Sequence, residues 1–284
     1  MNLTLIDIGN FNIKYHGERI GLFSSKYHTN FESNPEGFKR ITVNEKTFYI
    51  GVGRYSLEYT KINKEAIIPQ VLYAINEANE GNNITTNLCL LLPIEQLPKK
   101  QELINIFQKK MFNSVIDGKK INIRIEKVIV LPECQVSRYS LAEDKQSEDI
   151  LIIDLGSRTC NYAGYVESEL SVNGTSRIGI INLYEKIMIT ENSKGNDYIL
   201  EDIEPQIRRG KIVVEEEIYL EFLKEVLNSI KSKVSINKFD VVFTGGGALV
   251  LEDVINNIEG VKIHNEPING NLLGAKVVCK ELLK

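Results

Sequence analysis

The chain has 284 residues, of which 43% are apolar and 25% charged, and its formal net charge is −4. This length allows two domains of ordinary size, and the acidic balance argues against direct binding to nucleic acid. The longest apolar stretches are only as long as a strand, so no membrane span is expected, and the start leaves no room for a signal peptide. The cysteines are scattered without metal-ligand spacing, which fits a reducing cytoplasm.

The first half of the chain opens with a predicted β-meander. Short apolar runs predict strands over 3–8, 12–15 and 20–26, and then a hairpin over 41–43 and 46–50. Beyond the hairpin, the pattern predicts a helix over 67–78, a strand over 88–92, a helix over 99–112, a strand over 121–131 and a helix over 136–142.

The second half repeats this order. Strands are predicted over 150–154, 159–166, 169–175, 241–244 and 261–264. Helices are predicted over 180–189, 215–233, 249–258 and from about 272, and a helix plus a turn over 197–210. An internal duplication explains the repetition, so we predict an α/β fold of two similar domains. The predicted domains are 1–147 and 148–284.

Each half ends its first strand with aspartate, an apolar residue and glycine. Asp7 and Asp154 hold the same place in the two repeats, and Gly9 and Gly156 follow them. Glycine lets backbone amides approach a phosphate, and two carboxylates suit a hydrated Mg²⁺ bound through water. A single aspartate could equally cap a turn, but the matched pair favours a metal site.

Two further features point to a nucleotide. Lys14, seven residues after Asp7 on the returning strand, can place its ammonium beside phosphates, although a lysine is more often a solvated surface charge. The run from Gly245 to Gly247, with Ala248 after it, follows an apolar strand and lets the backbone pass close to a base or ribose. A flexible turn is the alternative for this run, and we favour nucleotide contact.

Glu133 directly follows an apolar strand and Pro132. If that strand ends at the same site, this carboxylate can orient or deprotonate a water that attacks a γ-phosphate. It can equally be an exposed acid near a helix start, where acids are favoured. The residues alone leave these two interpretations level.

The order of these motifs resembles the actin, heat-shock-chaperone and sugar-kinase ATPase superfamily. Residues 7–14, and residues 49–55 followed by Lys61, resemble the bacterial actin-like ParM-type proteins that segregate plasmids. The resemblance covers almost the whole length at the level of motifs. It implies duplicated actin-like, ribonuclease H-like domains with mixed sheets that flank a nucleotide cleft. It also implies an insert at about 27–84 in the first domain, an insert at about 180–236 in the second, and a terminal helix at about 272–284 that crosses back to the first domain.

The resemblance also assigns residues. It implies a first phosphate loop formed by Asp7, Gly9, Asn10, Asn12 and Lys14, and a second formed by Asp154, Gly156, Ser157 and Thr159. Glu133 takes the place of the catalytic acid, supported by Asp7 and Asp154, and Gly245 to Ala248 form the adenosine loop. Ser157 replaces the commoner glycine, and Arg158 after it could face the phosphates or a neighbouring subunit.

The function that the resemblance implies is an ATP-hydrolysing, head-to-tail filament in the cytoplasm that segregates plasmid or phage DNA. Its cofactors would be ATP, with GTP as an open alternative, and Mg²⁺. Its partners would be further copies of itself and an adaptor protein on a centromere-like site, with no direct DNA binding and no membrane. The alternatives are a small-molecule kinase of the same superfamily and a scaffold that does not hydrolyse ATP.

Overall fold

A computed structural model describes residues 2–56, 58–142 and 149–284. Contacts divide the chain into two units, one of Met1–Pro132 with Leu272–Lys284 and one of Glu133–Asn271. The domain boundary predicted at 147/148 lies outside the described residues. The predicted domain and insert bounds therefore stay a prediction.

The first unit is built on a mixed sheet that has nine strands within the described residues. They are β1 (Asn2–Ile8), β2 (Asn12–His16), β3 (Ile20–Ser24), β4 (Tyr27–His28), β5 (Arg40–Val43), β6 (Lys46–Ile50), β7 (Asn83–Leu92), β8 (Lys110–Ile116) and β9 (Lys119–Pro132). Their order is β3-β2-β1-β7-β9-β8-β5-β6-β4, with β1, β7 and β9 parallel. The helices are α1 (Ile67–Ala78) and α2 (Lys100–Phe107), with 3₁₀ turns at Pro35–Gly37, Lys61–Asn63 and Ile94–Lys99.

The second unit contains a five-stranded mixed sheet, counted over the same described ranges. Its strands are β10 (Ile150–Leu155), β11 (Cys160–Val166), β12 (Glu169–Ser176), β13 (Asp240–Thr244) and β14 (Val261–Ile263), in the order β12-β11-β10-β13-β14. The later helices are α3 (Ile180–Ser193), α4 (Leu200–Arg208), α5 (Glu216–Lys231), α6 (Gly246–Val250), α7 (Glu252–Asn256) and α8 (Gly270–Leu282), with 3₁₀ turns at Val136–Ser140 and Ile236–Lys238. From Leu272 onward, α8 belongs to the first unit.

The two sheets share one topology. In each, the first three strands form an antiparallel meander, and two later strands add in parallel to the first, giving β3-β2-β1-β7-β9 and β12-β11-β10-β13-β14. The predicted α/β fold with two mixed sheets is confirmed.

The helix predicted over 99–112 is wrong beyond Phe107. α2 buries Leu103 and Phe107 one turn apart and ends there. Lys109 then takes a positive φ of 55°, and β8 pairs with β9 and β5. Long-range pairing therefore overrides the helical spacing of the apolar residues. The helix predicted over 136–142 is a 3₁₀ turn, and the one predicted over 249–258 is two short helices.

The central strands explain where polar side chains can collect. All six residues of β10 are buried, as expected for a strand covered on both faces, and the last five residues of β1 are buried as well. Asp7 and Asp154 lie at the carboxyl ends of these strands, where ligands commonly bind in sheets of this kind. Across the described ranges, no helix has both the length and the apolar character needed to cross a membrane.

Candidate functional site

The first group of polar side chains surrounds Asp7 at the end of β1. Asp7 faces Lys14 across the β1–β2 ladder, and the Lys14 Nζ donates to Asp7 Oδ2 at 3.2 Å. The Nζ of Lys61 donates to the other oxygen, Oδ1, at 3.1 Å. Each carboxylate oxygen of Asp7, which is only 6% exposed, thus has its own ammonium partner.

Lys61 lies in a short 3₁₀ turn and is itself only 4% exposed. Its backbone amide donates to Gln96 Oε1 at 2.9 Å, and the Gln96 amide donates to the Tyr59 carbonyl at 3.2 Å. Gln96 therefore fixes the turn from which Lys61 reaches Asp7. In the sequence, Lys61 is marked only by a family resemblance, and no local pattern indicates this role.

Charge decides the ionisation of Asp7. Burial by itself would raise the pKa of this carboxyl, but the nearby Lys61 and Lys14 outweigh burial and hold the pKa well below its usual value of 3.8. A third buried lysine, Lys64, donates to the carbonyls of Ile8 and Gly9 at 3.4 and 3.2 Å. Three lysines therefore surround one carboxylate and the start of the first loop, an arrangement that attracts anions.

The first loop is tightly folded. A Cβ on Gly9 would overlap the carbonyl of Asn12, so the turn requires glycine. Asn10 is buried, and its carbonyl accepts a hydrogen bond from Ser25 Oγ. Among the described residues its side-chain Oδ1 has no hydrogen-bond partner. A buried polar atom left in this state is costly and suggests an external ligand.

The second group surrounds Asp154 at the end of β10. Asp154 lies opposite Asn161 on β11 and Thr244 on β13. The Asn271 Nδ2 donates to Asp154 Oδ2 at 2.8 Å. The Oδ1 of Asn271 accepts from the amide of Cys134 at 2.9 Å. This hydrogen bond to Asp154 comes from a neutral amide, whereas Asp7 accepts hydrogen bonds from two ammonium groups.

Glu133 is buried in the second unit, at 6% exposure. The interpretation of this residue as an exposed acid at a helix start is therefore wrong. The Asn161 Nδ2 donates to Glu133 Oε2 at 3.1 Å, and Thr175 Oγ1 donates to Asn161 Oδ1 at 2.7 Å. Asn161 thus holds the carboxylate in one orientation.

The second loop rests on the beginning of α3. The amides of Ile180 and Ile181 donate to the carbonyls of Gly156 and Ser157, at 3.1 and 2.9 Å. The preceding Gly179 is so close that a Cβ there would lie 2.5 Å from the Ser157 carbonyl oxygen. The path of this loop is therefore set by the helix behind it. Within the loop, Ser157 and Arg158 are half-buried and Thr159 is buried.

The glycine run after β13 has a structural explanation for two of its members. Gly245 has a φ of 87°, and a Cβ there would overlap Asp154 Oδ1. A Cβ on Gly247 would lie 2.7 Å from the Leu155 carbonyl oxygen. A Cβ on Gly246 would meet nothing within 4 Å, so packing leaves this glycine unexplained. Ala248 is buried.

The predicted site residues thus fall into two groups, one in each unit. The first unit holds Asp7, Gly9, Asn10, Asn12 and Lys14, and the second holds Glu133, Asp154, Gly156 to Thr159 and Gly245 to Ala248. Lys64, Asn161 and Asn271 are not among the residues predicted from the sequence. A signal for Asn161 was present, since it follows Asp154 by seven residues as Lys14 follows Asp7.

These observations define a protein with the actin-like fold. Residues 6–135 match the family model described as the N-terminal domain of actin-like proteins, so the resemblance to actin-like proteins is confirmed. No curated protein matches this sequence.

Solved structures agree over the full length of the chain. The chain is similar to an archaeal actin homologue, Ta0583, with 15% identity, coverage of 99% of this chain and 100% of that one, and a TM-score of 0.82. It is similar to a ParM filament from Clostridium botulinum, with 18% identity, 99% and 100% coverage and a TM-score of 0.79. It is also similar to an AlfA filament bound to AMPPNP, with 19% identity, coverage of 100% of this chain and 99% of that one, and a TM-score of 0.63. At these identities the likeness concerns the fold.

Proposed function

We propose that this chain is a filament-forming ATPase of the ParM type that segregates plasmid or phage DNA. The observation that carries the proposal is a pair of buried carboxylates in the second unit, Glu133 and Asp154, each held by one asparagine amide. Likeness of fold to a ParM filament and to a nucleotide-bound AlfA filament supports it. So does Ta0583, which was also solved in complex with ADP.

The residues of both loops fit a magnesium–nucleotide complex. Three lysines near Asp7 supply positive charge for phosphates. Asn10 Oδ1, which has no hydrogen-bond partner within the described part of the chain, can accept from a bound water. We assign the phosphates to the first loop and to Gly156, Ser157, Arg158 and Thr159, the adenosine to Gly245 through Ala248, and Mg²⁺ to Asp7 and Asp154 through water. When bound, Mg²⁺ neutralises the charge that develops on the phosphates.

Glu133 is the proposed catalytic base. Its carboxylate orients a water and accepts one proton while the water oxygen bonds to the γ-phosphorus and the bond to the bridging oxygen breaks. Burial keeps competing solvent away from this carboxylate, and Asn161 fixes its orientation. Asp7 and Asp154 support the reaction by organising charge around the phosphates.

In head-to-tail assembly, one surface of a subunit binds a different surface of the next subunit. Such contacts give filaments when the rotation between subunits does not close a ring. We propose that bound ATP favours the conformation that assembles and that loss of the γ-phosphate favours disassembly. The net charge of −4 supports recruitment of DNA through an adaptor protein on a centromere-like site in the cytoplasm.

Light scattering with Mg²⁺-ATP, with phosphate release recorded in parallel, tests this proposal. We expect scattering to rise and then to decay as phosphate appears. In the variant Glu133→Gln, phosphate release should slow by roughly 10²-fold or more while nucleotide affinity is kept. The matched control is Glu259→Gln, at an exposed glutamate. Hydrolysis without scattering at any concentration would contradict the filament and favour a small-molecule kinase.

A further inference from the structure

The chain passes between its two units at two places, Pro132/Glu133 and Asn271/Leu272. On the side of the second unit, one hydrogen bond joins these two places, because the amide of Cys134 donates to Asn271 Oδ1 at 2.9 Å. Asn271, the last residue of the second unit, is therefore bonded to Cys134, the residue that follows the proposed base Glu133.

Asn271 uses both ends of its amide. While Oδ1 binds the Cys134 backbone, Nδ2 donates to Asp154 Oδ2 at 2.8 Å. The residue is 5% exposed, so bulk water is a poor substitute for either partner. The other Asp154 oxygen, Oδ1, lies against Gly245 so closely that a Cβ there would overlap it. The orientation of the Asp154 carboxylate is thus set by Asn271 on one side and by the glycine loop on the other.

The backbone at Cys134 needs such support. Cys134 has a φ of 66°, in the left-handed region that residues other than glycine rarely adopt. Besides the amide bond to Asn271, its Sγ donates to the carbonyl of Ile152 at 3.3 Å, and its own carbonyl accepts from Ser137 Oγ. These contacts hold the turn at Cys134, and Glu133 directly precedes that residue.

We propose that Asn271 is a positioning residue that holds Asp154 and the turn carrying Glu133 in one fixed arrangement for hydrolysis. The proposal rests on the proposed ATPase function for its catalytic consequence, but its contacts stand by themselves. A single amide connects the carboxylate assigned to the metal with the backbone next to the base. Loss of this amide leaves Glu133 present but its turn less constrained.

Two variants and one control test the proposal. Asn271→Ala removes both contacts. Asn271→Asp keeps an acceptor for the Cys134 amide but replaces the donor with a carboxylate that faces Asp154. Asn265→Ala, at an exposed asparagine of the loop that precedes α8, is the matched control. The measurements are single-turnover phosphate release, affinity for ADP in the presence of EDTA, exchange of the Cys134 amide proton, and thermal unfolding against pH.

In Asn271→Ala we expect hydrolysis to slow by about tenfold or more, because the rate falls steeply when catalytic groups are misplaced. The metal-free affinity for ADP should stay within about threefold of that of the wild type, because the phosphate contacts themselves remain. The Cys134 amide should exchange faster than in the control. In Asn271→Asp, two facing carboxylates should share a proton, so one carboxyl of the pair should ionise at a higher pH than an isolated carboxyl does, and this ionisation should appear in the stability profile.

The opposite results overturn the inference. A wild-type rate of hydrolysis in Asn271→Ala would remove the positioning role, and an equal loss of rate and of metal-free affinity would indicate general damage instead. A pH profile of thermal unfolding in Asn271→Asp that equals that of the wild type would contradict the contact between residue 271 and Asp154. A wild-type chain that hydrolyses no ATP overturns the proposed function alone, because Cys134 exchange and the pH profile are measured without nucleotide.

Discussion

Lys14 and Asn161 occupy the same position in the two repeats, each directly opposite the aspartate that ends the first strand of its sheet. Their side chains do different work. Lys14 bonds to its aspartate, Asp7, whereas Asn161 bonds to Glu133. The same register position thus holds an ammonium that bonds to the aspartate in the first unit and an amide that bonds to the proposed base in the second.

The first prediction concerns Asn161→Ala. Loss of the amide leaves Glu133 without one donor, and a hydrogen bond to a charged group contributes about 1.5–3 kcal/mol. If half or more of that is specific to the transition state, phosphate release should slow by about tenfold, with nucleotide affinity nearly unchanged. Single-turnover phosphate release measures this, and Asn173→Ala, an exposed asparagine on β12, is the control. An equal effect in both variants would contradict the assignment.

The second prediction concerns Lys61→Met, which removes one of two cations from a buried carboxylate. Breaking a buried ion pair from one side costs on the order of 3 kcal/mol. Denaturant unfolding at pH 7 should show this loss, whereas Lys46→Met, which breaks an exposed pair with Glu65, should cost less than about 1 kcal/mol. Equal losses would mean that Lys61 contributes no more than a surface charge.

For the same variant, Lys61→Met, we also expect that the loss of stability depends on pH. Because the folded pKa of Asp7 is lowered from 3.8, its stabilising contribution is complete above that value and is lost as the pH falls below it. Lys61→Met raises the folded pKa again, so the stability difference from wild type should narrow as the pH falls below 3.8. A difference that stays constant from pH 7 to 3 would contradict the pairing.

Local pattern predicted much of the fold. Strands such as β1 and β10 are apolar runs bounded by turn residues, and α1 has an apolar face with helical spacing, so their positions follow from the sequence. β8 was missed because its structure depends on pairing with β9 and β5, which local spacing does not encode. The short helices Gly246–Val250 and Glu252–Asn256 are predicted as one helix for a different reason, because the apolar pattern continues across Leu251, where the backbone leaves the helical conformation.

The sequence predicted the loop residues of the candidate site better than their partners. Asp7 and Asp154 are visible because they repeat after similar strands. Asn271 is not, since it is 117 positions from the carboxylate it binds and no motif marks it. Lys61 reaches Asp7 across 54 positions, so its role required the three-dimensional arrangement.

A third prediction uses two neighbouring glycines. In Gly245→Ala, the new Cβ would meet Asp154 Oδ1 and the Leu155 carbonyl at a φ of 87°. Strain of this kind costs on the order of 1–3 kcal/mol, so the unfolding temperature should fall clearly. In Gly246→Ala the Cβ meets nothing within 4 Å, and stability should be kept. If Gly246 faces the adenosine, as we propose, only nucleotide affinity should fall in that variant.

The last prediction concerns His264, which is buried in the second unit. The amide of Glu266 donates to its Nδ1 at 2.9 Å, so the neutral ring carries its proton on Nε2, which donates to Ser140 Oγ at 2.9 Å. Burial lowers the pKa of this imidazole below 6.5, although Glu266 partly opposes the shift.

A histidine with a lowered folded pKa binds its proton more readily in the unfolded chain. The stability it confers is therefore complete above pH 6.5 and falls as the pH drops through the folded pKa. In His264→Gln, which cannot titrate, the fall in unfolding temperature between pH 8 and 5 should be smaller than in wild type. Parallel curves for the two proteins would show that protonation of His264 carries no stability cost.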